Sequence, residues 1–243
     1  MIKEISVVIP AHNEEGNIEK LVEKTEKMFK DYDIGGEIIV VDDKSSDNTL
    51  QNLLKLKAKA PHLKVLSHEK NCGQSRALLT GIKNASYEII ATMDGDGQND
   101  PFDIPKLLEA LEKGDEDLKM VAGFRKKRKD TIFKKIASRV ANKIRAFLLK
   151  DDTPDSGCGI KVFYKETFLS LPYFDHMHRF LPALFQREGA KVISVEVNHF
   201  PRVCGKSHYN NFQRGVVGVV DLLGVMWLQR RSCLTSVHRK DNI

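Results

Sequence analysis

The chain has 243 residues, 41% of them hydrophobic and 30% charged, and a net charge of +6. That composition suits one folded domain, or one domain with a small appendage, and excludes a disordered or low-complexity chain. The four cysteines, Cys72, Cys158, Cys204 and Cys233, form no C-x-x-C pair, so structural zinc and dithiol chemistry are disfavoured and a reduced setting is expected.

Ile5 to Ile9 is a short β-branched run that opens through Pro10, Asn13, Glu14 and Glu15 into a helical pattern near 17–30. The chain enters this strand with no apolar signal region before it. Glu37 to Val41 repeats the theme and ends in Asp42-Asp43, with a helix expected near 48–59. Leu63 to Leu66 is a third strand, 74–85 a third helix, and Glu88 to Met93 a fourth strand. Strands alternating with helices predict an α/β fold, a mostly parallel sheet covered on both faces, with ligands beyond the carboxyl ends of the strands. Three of those ends carry polar clusters: Pro10 to Glu14, Asp42 to Asp47, and Asp94 to Asp100.

After a fifth strand, Met120 to Gly123, the alternation weakens. A long basic helix is expected over 131–149, then a loop from Asp151 to Gly159, a strand at Ile160 to Phe163, helices around 165–188 and a strand at Val192 to Val197. The basic helix has Ile132, Ile136, Val140, Ile144 and Leu148 every fourth residue, bordered by Lys134, Lys135, Arg139, Lys143 and Arg145. Such a helix suits an anionic membrane surface or an anionic ligand; equally, its cations make an ordinary solvated face.

Val216 to Leu228 is apolar except for Asp221 and two glycines. As a helix it would be about 20 Å long, too short for a hydrocarbon core of about 30 Å. It reads as a helix lying in a membrane interface, with Trp227 at headgroup depth and Arg230-Arg231 on lipid phosphates, or as one docked on the core. No stretch of the chain reaches roughly 18 uninterrupted apolar residues.

Chemistry concentrates in Asp94-Gly95-Asp96-Gly97-Gln98, which follows an apolar strand. Carboxylates two apart at a strand end can meet one hard cation, Mg2+ or Mn2+, although Asp and Gly also make ordinary turns. The first strand is followed by no G-x-G-x-x-G and the chain has no P-loop, which disfavours a dehydrogenase and a P-loop NTPase. Aromatics at 7% and carboxylates crowding the cleft argue against a nucleic-acid partner.

Four segments form an ordered set: Ser6 to Glu14, Val41 to Thr49, Asn71-Cys72-Gly73 and Asp94 to Gln98. Together they resemble the family-2 glycosyltransferases of the GT-A (Rossmann-like) fold, and within them the dolichol-phosphate mannosyltransferase-like group that glycosylates polyprenyl phosphates. The resemblance continues through Asp155-Ser156-Gly157-Cys158-Gly159 and Phe200-Pro201-Arg202 to Gly205-Lys206-Ser207, covering roughly 4–230. It implies a transferase domain over 1–208 and a membrane-apposed helical segment over 209–243.

The resemblance also implies roles. Pro10, Ala11, Asn13, Glu14, Asp42, Asp43, Gly73 and Asp94 match nucleotide-binding positions, with Asp42 at the base and Asp94 near ribose and metal. Asp94, Asp96 and Gln98 match the metal ligands. Arg125, Ser138, Arg139, Arg202 and Lys206 fall where the group handles donor and acceptor phosphates, and Asp96, Asp155 and Arg202 are the catalytic candidates. The group's Lys directly after the Ser is replaced here by His208, with Lys206 one place before it. Asp155 reads as a base, an acceptor-orienting group or a turn cap. His12, His68, His176 and His178 read as structural or substrate-edge residues.

The implied function is inverting transfer of a sugar from a nucleotide diphosphate to a polyprenyl phosphate, with a divalent metal, at the cytoplasmic face of a membrane. A small membrane protein or a second copy of the chain would be further partners. The alternative is a family-2 transferase adding sugar to a glycan hydroxyl in cell-surface polysaccharide or lipopolysaccharide assembly.

Overall fold

The computed structural model describes residues 2–125, 144–201 and 211–233, with side chains from 217 onward in the last stretch. Among the described residues seven strands make one sheet: β1 (Glu4–Ala11), β2 (Gly35–Asp42), β3 (Leu63–Ser67), β4 (Ile89–Thr92), β5 (Leu118–Phe124), β6 (Lys161–Tyr164) and β7 (Lys191–Glu196). Their order is β3-β2-β1-β4-β6-β5-β7. β6 alone runs against its neighbours, pairing antiparallel with β4 and β5, while the other pairs are parallel.

The helices follow from apolar spacing. In α1 (Ile18–Tyr32) the residues Ile18, Leu21, Val22, Thr25, Met28 and Phe29 form one buried face, and Asp33 closes the helix in the left-handed region. With α2 (Thr49–Leu56) and α4 (Ile104–Glu112), α1 packs on the sheet face that presents Ile5, Val7, Ile9, Ile38 and Val40. The opposite face presents Val8, Ile39 and Val41 to α3 (Gln74–Lys83), α6 (Lys165–Ser170) and α7 (Leu181–Arg187). Strands buried on both faces explain the near-continuous β-branched runs. A further helical stretch, α5, covers 144–149.

The final helix, α8 (Asn211–Arg230), docks on the second layer. Val225 is fully buried there, Arg187 Nε donates to the Leu228 carbonyl at 3.1 Å, and Gln229 Nε2 donates to the Leu149 carbonyl at 2.9 Å. Asp221 turns inward and pairs with His176 at 3.3 Å. Val219, Val220, Leu223 and Trp227 face outward, the last two 59% exposed. The helix is therefore docked and apolar on its outer side at once. Among the described residues no helix is long and apolar enough to cross a membrane.

Candidate active site

The reversed strand decides where the site lies. Because β6 is antiparallel, its leading loop, 155–160, arrives at the same edge as the carboxyl ends of β1, β2, β4 and β5. β7 runs parallel to β5 and sends 197–200 to that edge too. Both the first-half carboxylates and the second-half loop thus converge.

At the end of β1, Asn13 takes the left-handed conformation, with φ of 57°. An Asn tolerates this because its short amide bonds locally: its Oδ1 accepts from Ser46 N at 2.7 Å, and its backbone N–H donates to Ser45 Oγ at 3.0 Å. Glu14 N donates to Thr49 Oγ1 at 2.8 Å. These bonds bind the β1 and β2 loops to each other. Pro10 and Ala11 lie against the next loop: a Cβ on Gly95 would stand 2.9 Å from the Pro10 carbonyl oxygen.

The neighbouring aspartates at the end of β2 do different work. Asp42, 1% exposed, accepts from Ser67 Oγ and Ser45 N through Oδ2, and its buried Oδ1 has no hydrogen-bond partner among the described residues. An orphaned buried acceptor is costly and suits an N–H donor on a ligand. Asp43 instead accepts from Cys72 N at 2.9 Å, Gly73 N at 2.7 Å and His68 Nδ1 at 2.7 Å. His68 Nε2 meets Thr80 Oγ1 at 2.9 Å. Asp43, His68 and Cys72 come within 4.8 Å of one another, a grouping invisible in their sequence spacing, and the bonds of Asp43 to His68, Cys72 N and Gly73 N brace the loop before α3. Gly73 stands in that loop at φ 83°.

The turn after β4 holds the expected hard-oxygen set. Asp94 Oδ1 accepts from Gln74 Nε2 at 2.7 Å, and Asp94 N donates to Asn99 Oδ1 at 3.1 Å. Burial raises the Asp94 pKa, the nearby Asp96 carboxylate raises it further, and Lys161 and Arg125 oppose both. Asp96 Oδ1 accepts from Gln98 N at 3.1 Å. Gln98 Nε2 points to the Phe200 carbonyl, leaving Oε1 as that amide's acceptor oxygen. Two close carboxylates whose charges disfavour each other, beside an amide oxygen, fit a hard divalent cation.

At the end of β5, Arg125 clasps Asp155 through Nε at 2.6 Å and Nη2 at 2.9 Å. The carboxylate raises the Arg125 pKa against the effect of burial. The Asn198–Phe200 segment is held beside the β4 turn by Asp103, which accepts from Asn198 N at 2.7 Å, and by Phe200 N donating to the Gln98 carbonyl at 2.9 Å. Ser138, Arg139, Arg202 and Lys206 lie outside the described residues.

Sequence reasoning missed three participants. Gln74 directly follows the Asn71-Cys72-Gly73 motif and could have been read with it. Asn99 sits one place beyond Gln98. Lys161, a buried lysine in a core strand, has no signal in local pattern.

Residues 6–170 match the family described as Glycosyl transferase family 2. The chain belongs to that family. This family-2 glycosyltransferase is 36% identical over 231 residues to the dodecaprenyl-phosphate galacturonate synthase of Rhizobium johnstonii, covering 93% of this chain and 68% of that one. It is 32% identical over 241 residues to the undecaprenyl-phosphate 4-deoxy-4-formamido-L-arabinose transferase of Enterobacter sp. (strain 638), covering 97% and 68%. Among solved structures it is similar to glucosyl-3-phosphoglycerate synthase from Mycobacterium tuberculosis in complex with Mn2+, UDP and phosphoglyceric acid. There the TM-score is 0.69 at 21% identity, covering 96% of this chain and 80% of that one. The same synthase is also known with Mg2+ and UDP. The fold of this glycosyltransferase is GT-A.

Proposed function

We propose that this glycosyltransferase moves a sugar from a nucleotide diphosphate to a polyprenyl phosphate, with inversion, at a membrane surface. The observation that carries the reading is the Arg125–Asp155 clasp. A sugar hydroxyl must lose its proton to attack, so that acceptor needs a carboxylate base. Asp155, the acceptor-side candidate, gives both oxygens to Arg125 and serves instead to aim a cation. A phosphate monoester has a second pKa of about 6 and attacks unaided at neutral pH. The names of both curated relatives carry polyprenyl phosphates.

In this reading Asp42 Oδ1 receives an N–H of the base, while Pro10, Ala11, Asn13, Glu14 and Gly73 shape the nucleotide pocket. Asp43 holds that pocket through Cys72 and Gly73. Asp94, Asp96 and Gln98 would hold Mg2+ or Mn2+, which when bound offsets charge on the leaving diphosphate. Arg125, Ser138, Arg139, Arg202 and Lys206 gather the phosphates of donor and acceptor. Displacement without an enzyme nucleophile turns an α-linked donor into a β-linked product. The outer side of α8, with Leu223 and Trp227 exposed and Arg230 and Arg231 at its end, rests on the cytoplasmic face of the membrane.

The test is a panel of UDP- and GDP-sugars with a polyprenyl phosphate and Mn2+. A β-linked sugar phosphate extractable into organic solvent is expected. A water-soluble glycan product would favour a hydroxyl acceptor, and an α-linked product from an α-linked donor would refute direct attack.

A further inference from the structure

Lys161 is only 4% exposed, at the start of β6, a strand paired on both sides. It pairs in register with Thr92 of β4, two residues before Asp94, and with Ala122 of β5, three before Arg125. Taking an amino group out of water is expensive, and a well-packed apolar residue at such a place is often neutral or stabilising. Stability alone therefore does not account for a lysine here.

Its surroundings do. Lys161 Nζ donates to the carbonyl of Cys158, whose own N–H donates to the Asp155 carbonyl at 3.2 Å. Burial disfavours the ammonium form, while Asp94 and Asp155 favour it. Gly159, in the same loop as Cys158, presses on Asp94 so closely that a Cβ would stand 2.3 Å from Oδ2, and its carbonyl accepts from Thr92 Oγ1 at 2.9 Å. One side chain thus touches the loop that carries the Arg125–Asp155 pair and lies within the field of the β4 carboxylate.

We propose that Lys161 is a positioning residue that locks the acceptor-side loop, Asp155–Gly159, against the metal-end carboxylate Asp94. At 4% exposure its side chain is shut away from solvent. Its amino group holds the Cys158 carbonyl, and this sets the distance between the cation that gathers phosphate and the carboxylates that hold the metal. A misplacement of about 1 Å between reacting groups costs on the order of 100-fold in rate, so a lock of this kind acts on turnover rather than on nucleotide affinity. The inference rests on the glycosyl-transfer reading of the same site.

Lys161→Met, Lys161→Gln and Lys161→Arg in the full chain test it. Measured are kcat for lipid transfer, donor hydrolysis, UDP and GDP affinity with Mn2+, and Tm. Lys161→Met is expected to lose about 30- to 100-fold in kcat, with nucleotide Kd within about threefold of wild type; Tm falls, because a buried partner is removed from the Cys158 carbonyl and the nearby carboxylates, so the split between kcat and nucleotide Kd carries the reading. Lys161→Arg, which keeps a cationic donor, should recover much of the rate. If Lys161→Met does not fold, Lys161→Gln, which keeps a donor without charge, is read by the same split. Wild-type kcat in Lys161→Met, or a parallel fall of Tm, nucleotide affinity and kcat in all three variants, overturns the proposal. A wild-type chain that hydrolyses donor but makes no lipid-linked sugar overturns the acceptor reading instead, and Lys161 is then judged by the same split on hydrolysis.

Discussion

Gln74 Nε2 donates to Asp94 Oδ1 at 2.7 Å, joining the first residue of α3 to the carboxylate at the end of β4. The loop that delivers Gln74 is braced in turn by Asp43, so the ends of β2 and β4 are one hydrogen-bonded assembly. Disturbing either should be felt at the other.

Asp96→Ala should lose at least ~100-fold in kcat, the scale of removing one electrostatic stabiliser of a developing charge. Chelation of divalent metal should bring wild type down to a similar level. Steady-state rates with and without EDTA decide it, and a variant fully active in EDTA sinks the metal assignment.

Asp155→Asn leaves Arg125 without its counter-ion in a setting where the two side chains are largely buried. Removing one partner of a buried pair costs about 3–5 kcal/mol, and partial exposure places the expected loss at the lower end. Tm should fall, and the KM for polyprenyl phosphate should rise more than that for donor. A pure loss of kcat with unchanged Tm and acceptor KM would make Asp155 a base after all.

The raised pKa of Asp94 gives a pH dependence whose sign is fixed. The folded chain holds this proton more tightly than the unfolded chain, so stability from this group falls as pH rises from the ordinary carboxylate value through the raised one. In metal-free protein, Asp94→Asn should remove that part of the slope. In wild type, divalent metal should stabilise more as pH rises through the same window, because the metal needs the ionised form. Thermal melts across pH, with and without Mn2+, check both; equal slopes for wild type and Asp94→Asn would refute the assignment.

Leu223→Ser with Trp227→Ser should weaken pelleting with anionic liposomes and lower activity on long polyprenyl phosphates, while nucleotide affinity stays put. Both side chains are 59% exposed, so little packing is lost. Truncation before α8 is a poorer test, since it would also uncover the surface that buries Val225. Unchanged liposome binding in the double variant would show that this face is not the membrane contact.

Much of this was legible in the residues. Periodicity gave the first four strands and the first three helices within a few positions, because burial on both sheet faces forces β-branched runs and a helix needs one apolar stripe. Polar clusters at three strand ends pointed to the candidate site, since a parallel sheet puts them on one edge. What local pattern does not encode is which distant segment a polar group will meet. Asp42 and Asp43 are adjacent and alike in sequence, yet one keeps an acceptor oxygen unpartnered among the described residues and the other is consumed by a loop about 30 residues away. Asp221, a liability for an apolar helix in sequence, faces inward to His176. Asp155 is tied to Arg125, and Lys161 is set in register with Thr92 and Ala122, because β6 enters the sheet reversed, a pairing set by long-range packing rather than by any neighbour in the chain.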